Sequence, residues 1–276
     1  MIRACVIGWP IRQSRSPLIH GFWIRKYGLS GSYEKRDVAP EELGAFVQRI
    51  GTDFAGCNVT VPHKEEVMKW LDGVDDTARA IGAVNTIWSE GGKRFGTNTD
   101  MAGFLVNLDQ QAPGWDRAPL SAVVLGAGGA ARAVVCGLVR RKAAKIVLVN
   151  RSRKRAEELA REFGPNSAAC EYHDLPGLLE DASLLVNATS LGMVGKADLD
   201  VSLEGLSPSA VVTDLVYAPL KTGLLEKASR RGNRTVDGLG MLLHQAVPAF
   251  EKWFGVKPEV TPELRALIEA DIRSAA

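Results

Sequence analysis

Asn58-Val-Thr-Val-Pro-His-Lys64 sets an amide, a hydroxyl and a cation close together in the chain. Along an extended strand Asn58 and Thr60 face one way, and Val59 and Val61 the other. Polar groups at the C-terminal end of a strand, followed by a lysine, suit the crevice in which α/β proteins bind ligands. Lys64 placed there can exchange a proton with an alcohol or a carbonyl; taken alone, it reads as a surface lysine in a helix's first turn. Asp100, in Asn98-Thr-Asp100, can hold such a lysine and orient a hydroxyl, or simply cap the helix that begins at Met101. Asn85 is an amide within the apolar strand Ala83-Val-Asn-Thr-Ile-Trp88, where it needs a partner. Ser14 and Ser16 flank a helix start. Two hydroxyls and a helix dipole there can capture a carboxylate, and the same serines can act as ordinary caps.

A second chemical stretch is Ser121-Ala-Val-Val-Leu-Gly-Ala-Gly-Gly-Ala-Ala-Arg-Ala133. An apolar strand, Ala122–Leu125, runs into Gly126, Gly128 and Ala131, the three positions of a G-x-G-x-x-G/A turn. Gly126 allows the tight turn, Gly128 a close backbone approach to a pyrophosphate, and Ala131 close packing of the helix on the strand. The free N–H groups of the helix beginning near Ala130 favour phosphate charge. A plain βα turn has the same pattern; strand-before and helix-after is the context that favours a dinucleotide. An NAD site carries an acid at the end of the next strand, for the ribose 2′-OH. Here that strand ends Val149-Asn-Arg-Ser-Arg-Lys-Arg155, with no acid, three arginines and a lysine. An arginine there grips a 2′-phosphate bidentately, so the pattern favours NADP. The alternative is a solvated basic turn, which opposes the helix macrodipole.

These groups require strands that alternate with helices. Strands are expected over 2–7, 32–38, 54–61 and 83–88, and helices over 17–27, 41–50 and 64–71, with a turn at Gly91-Gly92. Beyond a helix at 101–110 and a linker at 112–119, strands are expected over 122–125, 145–149, 183–187, 210–215 and 234–236. Helices follow at 130–141, 152–163 and 222–231, and the tail is helical over 239–254 and 262–274. This rhythm is a mainly parallel α/β architecture, doubly wound in its second part. The chain has 276 residues, 46% hydrophobic and 24% charged, with a net charge of +2. That balance speaks against a nucleic-acid or membrane surface and for a small-molecule partner. No apolar run reaches membrane-spanning length, and Met1-Ile-Arg-Ala-Cys-Val-Ile-Gly8 enters a strand directly, so a cytoplasmic location is expected. Cys5, Cys57, Cys136 and Cys170 form no C-x-x-C, the histidines are scattered, and no metal site is expected.

Taken together, the motifs resemble the shikimate dehydrogenase family. The matching pieces are Gly8-x-Pro-Ile with Ser14-x-Ser-Pro17, Asn58-x-Thr-x-Pro-x-Lys64, Gly82-Ala-Val-Asn85 and Asn98-Thr-Asp100. They continue with Gly126-Ala-Gly-Gly-Ala130, Asn150-Arg-Ser with Arg155, Asn187-Ala-Thr-Ser190, Asp214-Leu-Val-Tyr217, and Asp237-Gly-Leu-Gly-Met241 with Gln245. The resemblance implies reversible, NADPH-dependent reduction of 3-dehydroshikimate to shikimate in chorismate and aromatic amino-acid biosynthesis. It implies a substrate-binding catalytic domain, 1–103, completed by helices returning from 239–276, and a Rossmann-like NADP-binding domain, 104–238. It makes Lys64 the acid/base beside Asp100. It puts Ser14, Ser16, Thr60, Asn85, Tyr217 and Gln245 around shikimate, with Asn58 nearby. For NADP it implies Gly126, Ala127, Gly128, Gly129, Ala130, Asn150, Arg151, Ser152 and Arg155, then Thr189, Leu215 and Gly238, with Met241 by the nicotinamide and Asp76 as a further contact. Trp9 and His63 depart from the asparagine and aromatic common at those positions. The expected partner is shikimate or 3-dehydroshikimate, with no nucleic acid or membrane, on a monomer or homodimer. Rival readings are an NAD-using quinate/shikimate dehydrogenase, a non-catalytic ligand sensor, and a folate-type dehydrogenase, which leaves the paired serines unexplained.

Overall fold

The first strand, β1 (Ile2–Gly8), buries Ala4, Cys5, Val6 and Ile7 on both faces, as a strand does when neighbours flank it and helices cover it. In chain order α1 (Ser16–Lys26), β2 (Gly31–Asp37), α2 (Leu43–Val47), β3 (Gly56–Val59), β4 (Gly73–Val74), α3 (Asp76–Ile81), β5 (Thr86–Glu90) and β6 (Lys93–Thr97) follow. Then come α4 (Asp100–Gln111), β7 (Ser121–Leu125), α5 (Gly129–Arg140), β8 (Lys145–Val149), α6 (Arg153–Phe163), β9 (Ser167–Cys170) and α7 (Leu175–Glu180). The chain closes with β10 (Leu184–Asn187), β11 (Val211–Asp214), α8 (Gly223–Arg230), β12 (Arg234–Val236), α9 (Leu239–Phe254) and α10 (Pro262–Ser274). The computed structural model describes residues 1–117 and 119–274. The expected 112–119 linker is a turn anchored by buried Trp115, with residue 118 outside the described residues; residues 275 and 276 of the expected 239–276 segment also lie outside them.

The chain divides into two compact units, Met1–Asp100 with Gln245–Ile268, and Met101–His244 with Glu269–Ala276. The described residues of the first form a six-stranded sheet in the order β2-β1-β3-β5-β6-β4. Its β2-β1-β3 half is parallel, whereas β3 pairs antiparallel with β5, and β5 antiparallel with β6. The reversal between β5 and β6 is made at Gly91 and Gly92, whose φ of 58° and 75° suit a tight hairpin turn. β6 escapes sequence reading because Lys-Arg-Phe-Gly-Thr shows little apolar alternation. The 64–71 segment is a short 3₁₀ helix, Glu66–Trp70, and Lys64 precedes it. Asn85 sits just before β5 instead of inside a strand.

The second unit holds a fully parallel six-stranded sheet, β12-β11-β10-β7-β8-β9. Counted within the unit this is the order 3-2-1-4-5-6 of the dinucleotide-binding fold, with its switch point between β7 and β10. β9 and α7, unread in the sequence, complete it. Among the described residues no helix is long and apolar enough to cross a membrane.

Within the first unit α9 lies on the sheet at Gly56. Trp253 donates its Nε1–H to the Ile87 carbonyl at 2.9 Å, and a Cβ on Gly56 would stand 2.0 Å from that nitrogen and 2.2 Å from the carbonyl oxygen. Gly56→Ala is therefore expected to lower unfolding free energy by about 1–3 kcal/mol or more, measured by urea titration; an unchanged midpoint would show that α9 is not seated on β3.

Candidate active site

The antiparallel half of the first sheet decides which residues meet. β3 runs outward to Thr60, and Lys64 follows it. Because β5 runs the other way, its start lies beside the end of β3, with Asn58 opposite Thr86. The end of β6 returns to that point, with Thr97 opposite Thr86, so Asn98-Thr-Asp100 emerges there too. Backbone bonds lock the convergence: Val59 N–H donates to Asn85 O at 2.8 Å, and Val84 N–H to Lys64 O at 2.7 Å. Lys64 Nζ lies 2.5 Å from Asp100 Oδ2, with the two side chains 19% and 10% exposed.

Asp100 is not spent as a cap. Its Oδ1 accepts from Asn85 Nδ2 at 2.8 Å, and its own N–H donates to Asn98 Oδ1 at 2.9 Å. Asn85 Nδ2 also reaches Thr99 Oγ1 at 3.0 Å and Gln245 Oε1, on α9, at 3.4 Å. Neither paired serine sits at the cap position of α1, which is Arg15, one residue before the expected Ser16; Ser14 Oγ accepts the Ser16 N–H at 3.4 Å. The hydroxyls instead face one another, Ser14 Oγ to Ser16 Oγ at 3.3 Å, Ser16 being buried. His63, before the lysine, is buried with Nε2 2.8 Å from Val38 O. A carbonyl only accepts, so that nitrogen carries the proton.

In the second unit the ends of β7, β8, β10 and β11 line the switch-point crevice. Gly126, at φ 112°, makes the turn out of β7, and a Cβ on it would stand 3.1 Å from the Ala188 carbonyl. Gly128 caps α5 with no side-chain bond to the helix, and a Cβ there would meet nothing within 4 Å. Open space before uncapped helix amides fits a phosphate. After β8, Arg153 is held by Glu157 and Glu171 at 2.8 and 2.7 Å. Arg151, Lys154 and Arg155 are exposed and make no ion pair or side-chain hydrogen bond among the described residues. That donor set fits a 2′-phosphate beside the ribose. Asn150 Nδ2 holds the bend by donating to Ser152 O at 3.0 Å.

The comparisons agree with both halves. Residues 6–87 match the model "Shikimate dehydrogenase substrate binding domain", residues 111–199 match "Shikimate / quinate 5-dehydrogenase", and residues 238–267 match "Shikimate 5'-dehydrogenase C-terminal domain". Relatives named shikimate dehydrogenase (NADP(+)) from Azorhizobium caulinodans and Rhodopseudomonas palustris are 51% and 54% identical, over 99% and 98% of this chain and 97% and 95% of theirs. The chain belongs to the shikimate dehydrogenase family. A Thermus thermophilus shikimate 5-dehydrogenase solved with NADP(H) and shikimate is 36% identical, with a TM-score of 0.87 and full coverage of both chains. A Corynebacterium glutamicum quinate dehydrogenase solved with NAD is 29% identical, with a TM-score of 0.90 over 98% of this chain and 99% of that one.

Within the first unit of this family member, Ser14, Ser16, Asn58, Thr60, Lys64, Asn85, Asp100 and Gln245 are placed as described. Tyr217 belongs to the second unit, just beyond β11 and partly exposed. Asp76 lies in the first unit, in the first turn of α3, with its fully exposed carboxylate 3.9 Å from Arg79. In the second unit Gly126 to Ala130, Asn150 to Ser152, Arg155, Thr189, Leu215 and Gly238 occupy strand ends and the loops after them, while Met241 is packed into that unit's core. Sequence reading missed Tyr33, Thr86 and Thr99, hydroxyls bonded into the first unit's polar cluster. The Thr86 of Asn85-Thr86 and the Thr99 of Asn98-Thr-Asp100 stood inside motifs already singled out; Tyr33 carried no such signal.

Asn187 ties the second crevice together. Its Oδ1 accepts from Thr189 N and Oγ1 at 3.0 and 2.7 Å, and its Nδ2 donates to Asp214 Oδ1 at 2.9 Å. Asp214 also accepts from Val216 N–H and from the Thr222 hydroxyl that caps α8. Burial lifts the Asp214 carboxyl from 3.8 to about 6, its three hydrogen bonds offsetting part of the rise. The folded protein thus binds this proton more tightly than the unfolded chain does. The group's contribution to stability is full below about pH 4 and is lost as pH rises to about 6, by about 3 kcal/mol in all. Urea unfolding of wild type and Asp214→Asn should show wild type losing about that much relative to the variant between pH 4 and 7; a pH-independent difference would exclude Asp214 as the titrating group.

Proposed function

We propose that the protein is an NADP-dependent shikimate dehydrogenase that reversibly reduces 3-dehydroshikimate to shikimate, a step of chorismate and aromatic amino-acid biosynthesis, with Lys64 as general acid/base. The observation that carries this reading is the 2.5 Å contact of Lys64 Nζ with Asp100 Oδ2 among amides and hydroxyls, in a chain whose relatives bear that enzyme's name. We read residues 1–103 with 239–276 as the substrate domain and 104–238 as the NADP domain, acting in the cytoplasm as a monomer or homodimer.

Bound NADPH supplies a hydride to the carbonyl carbon. As negative charge develops on the carbonyl oxygen, the Lys64 ammonium gives it a proton and its own positive field. In the oxidative direction the neutral amine takes that proton from the hydroxyl. Asp100 holds the lysine and accepts from a neighbouring substrate hydroxyl. Ser14 and Ser16, whose hydroxyls face one another at the start of α1, hold the substrate carboxylate. Thr60, Asn85, Tyr217 and Gln245 bind the remaining oxygens, with Asn58 behind them. Gly126 to Ala130 cradle the pyrophosphate, and Arg151 and Arg155, with Asn150 and Ser152, bind the 2′-phosphate. Thr189, Leu215, Gly238 and Met241 line the nicotinamide side, and Asp76 adds an outer contact.

The deciding assay is shikimate-dependent reduction of NADP⁺, compared with NAD⁺ and with quinate as alternative substrate. Strong preference for NADP⁺ and shikimate is expected; preference for NAD⁺ or quinate would replace this reading with the quinate dehydrogenase one, and no turnover would leave a ligand sensor. Lys64→Ala should lower kcat by roughly 10²–10⁴ while NADP affinity, measured by titration, stays at the wild-type value. Gly128→Ala should raise the NADP Kd about tenfold or more with an unchanged unfolding midpoint, since the new methyl occupies space reserved for phosphate and meets no protein atom.

A further inference from the structure

A chain of buried and part-buried hydrogen bonds runs behind Asp100, and every donor in it points the same way. Tyr33 donates its hydroxyl to Asn58 Oδ1 at 2.6 Å. Asn58 Nδ2 donates to Thr86 Oγ1 at 3.1 Å, and Thr86 Oγ1 to Asn85 Oδ1 at 2.9 Å. Asn85 Nδ2 donates to Asp100 Oδ1 at 2.8 Å, and Lys64 Nζ closes on Asp100 Oδ2. The direction is forced at both ends. The Thr99 N–H, which can only donate, lies 2.9 Å from Asn85 Oδ1, so the Asn85 nitrogen must face the carboxylate. At the other end Asn58 Nδ2 lies 3.2 Å from the Asn85 carbonyl, which can only accept, so Asn58 Oδ1 must face the Tyr33 hydroxyl. The Tyr33 ring is held against the face of His20, with centroids 4.0 Å apart and planes 8° from parallel. His20 is wholly buried, and both its ring nitrogens are without a hydrogen-bond partner among the described residues. Burial also raises the Tyr33 phenol well above its ordinary value, which keeps it a donor.

We propose that Thr86 and Tyr33 are positioning residues for the Lys64–Asp100 pair. Thr86 is fully buried, and its one hydroxyl proton is committed to Asn85. Accepting from Asn58 and donating to Asn85, that hydroxyl fixes both amides, and through Asn85 it presents Asp100 with Oδ1 engaged and Oδ2 turned to the lysine. Bonds aligned head to tail polarise one another, so the positive ends of the row all point at the carboxylate. This inference rests on the reading of Lys64 and Asp100 as the catalytic pair.

The test compares wild type, Thr86→Val, Thr86→Ser, Tyr33→Phe and Lys64→Ala in the shikimate-dependent NADP⁺ assay, with kcat expressed per NADP-binding site. Valine keeps the volume and loses the hydroxyl; serine keeps the hydroxyl and loses a methyl. Thr86→Val should lower kcat roughly tenfold or more with KM for NADP unchanged, while Thr86→Ser stays within about twofold of wild type despite weaker packing. Tyr33→Phe should lower kcat in the same direction. Packing alone predicts the reverse order, serine below valine, and that order overturns the proposal. Should Thr86→Val fail to fold, a Tyr33→Phe kcat equal to wild type overturns it instead. An active wild type with an inactive Lys64→Ala and a fully active Thr86→Val sinks this inference alone; an inactive wild type, or a fully active Lys64→Ala, sinks the functional reading with it.

Discussion

A lysine ammonium and an aspartate carboxylate withdrawn together from water set the terms for the first unit. Each ion loses several kcal/mol of hydration on burial, and mutual attraction offsets this only when the remaining lone pairs and protons are also satisfied. Lys64 and Asp100 are mostly shielded, at 19% and 10% side-chain exposure. The second carboxylate oxygen must therefore find a donor, and Asn85 supplies it. Asn85 in turn needs donors for its own oxygen, which come from Thr99 and Thr86. One charge pair thus dictates a run of amides and hydroxyls extending to Tyr33. It also explains why a unit with an apolar sheet buries Asn58, Asn85, Thr86, Asn98 and Thr99 at the same end.

The two units gather polar groups in different ways. In the second, a wholly parallel sheet sends every strand's C-terminal end to one side, and the loops after β7, β8, β10 and β11 meet there by topology alone. In the first, β5 alone runs against that rule. The start of β5 and the end of β6 reach the same edge because the hairpin at Gly91-Gly92 turns the chain round. If β5 ran parallel to β3, Asn85 would open at the far end of the sheet, a strand length from Lys64. The mixed sheet is what makes contact between residues 64, 85 and 100 geometrically attainable.

This difference governs what could be read from the chain before its fold was known. The second unit announces itself locally: the strands expected over 145–149 and 234–236 match β8 and β12 residue for residue, and the glycines of the turn after β7 each have a steric reason. The first unit's site is non-local. Lys64 and Asp100 each had a bland local explanation, surface lysine and helix cap, and only the reversed strand pairing makes them neighbours. β6 stayed hidden because Lys93, Arg94 and Thr97 interrupt any apolar period. Asn85 looked like a strand residue because Ala83, Val84, Ile87 and Trp88 surround it with apolar neighbours. Its amide instead bonds Asp100 and Thr99 at the strand's threshold.

The choice of nucleotide is a still more local matter. A solved relative bound to NADP(H) and one bound to NAD both match this chain closely, with TM-scores of 0.87 and 0.90, so backbone shape does not distinguish the two cofactors. What remains is a handful of side chains after β8. Of the cations there, Arg153 is neutralised by Glu157 and Glu171 and serves α6 and its neighbouring strand. Arg151, Lys154 and Arg155 have no such partner among the described residues, and the bend they sit on is braced by Asn150. Unpaired cations crowded at a helix start oppose the macrodipole and repel one another, a cost that an incoming phosphate dianion reverses. An NAD ribose carries no charge at that position and would leave the repulsion standing. On the proposed reading, selectivity arises from the difference between a relieved and an unrelieved cluster.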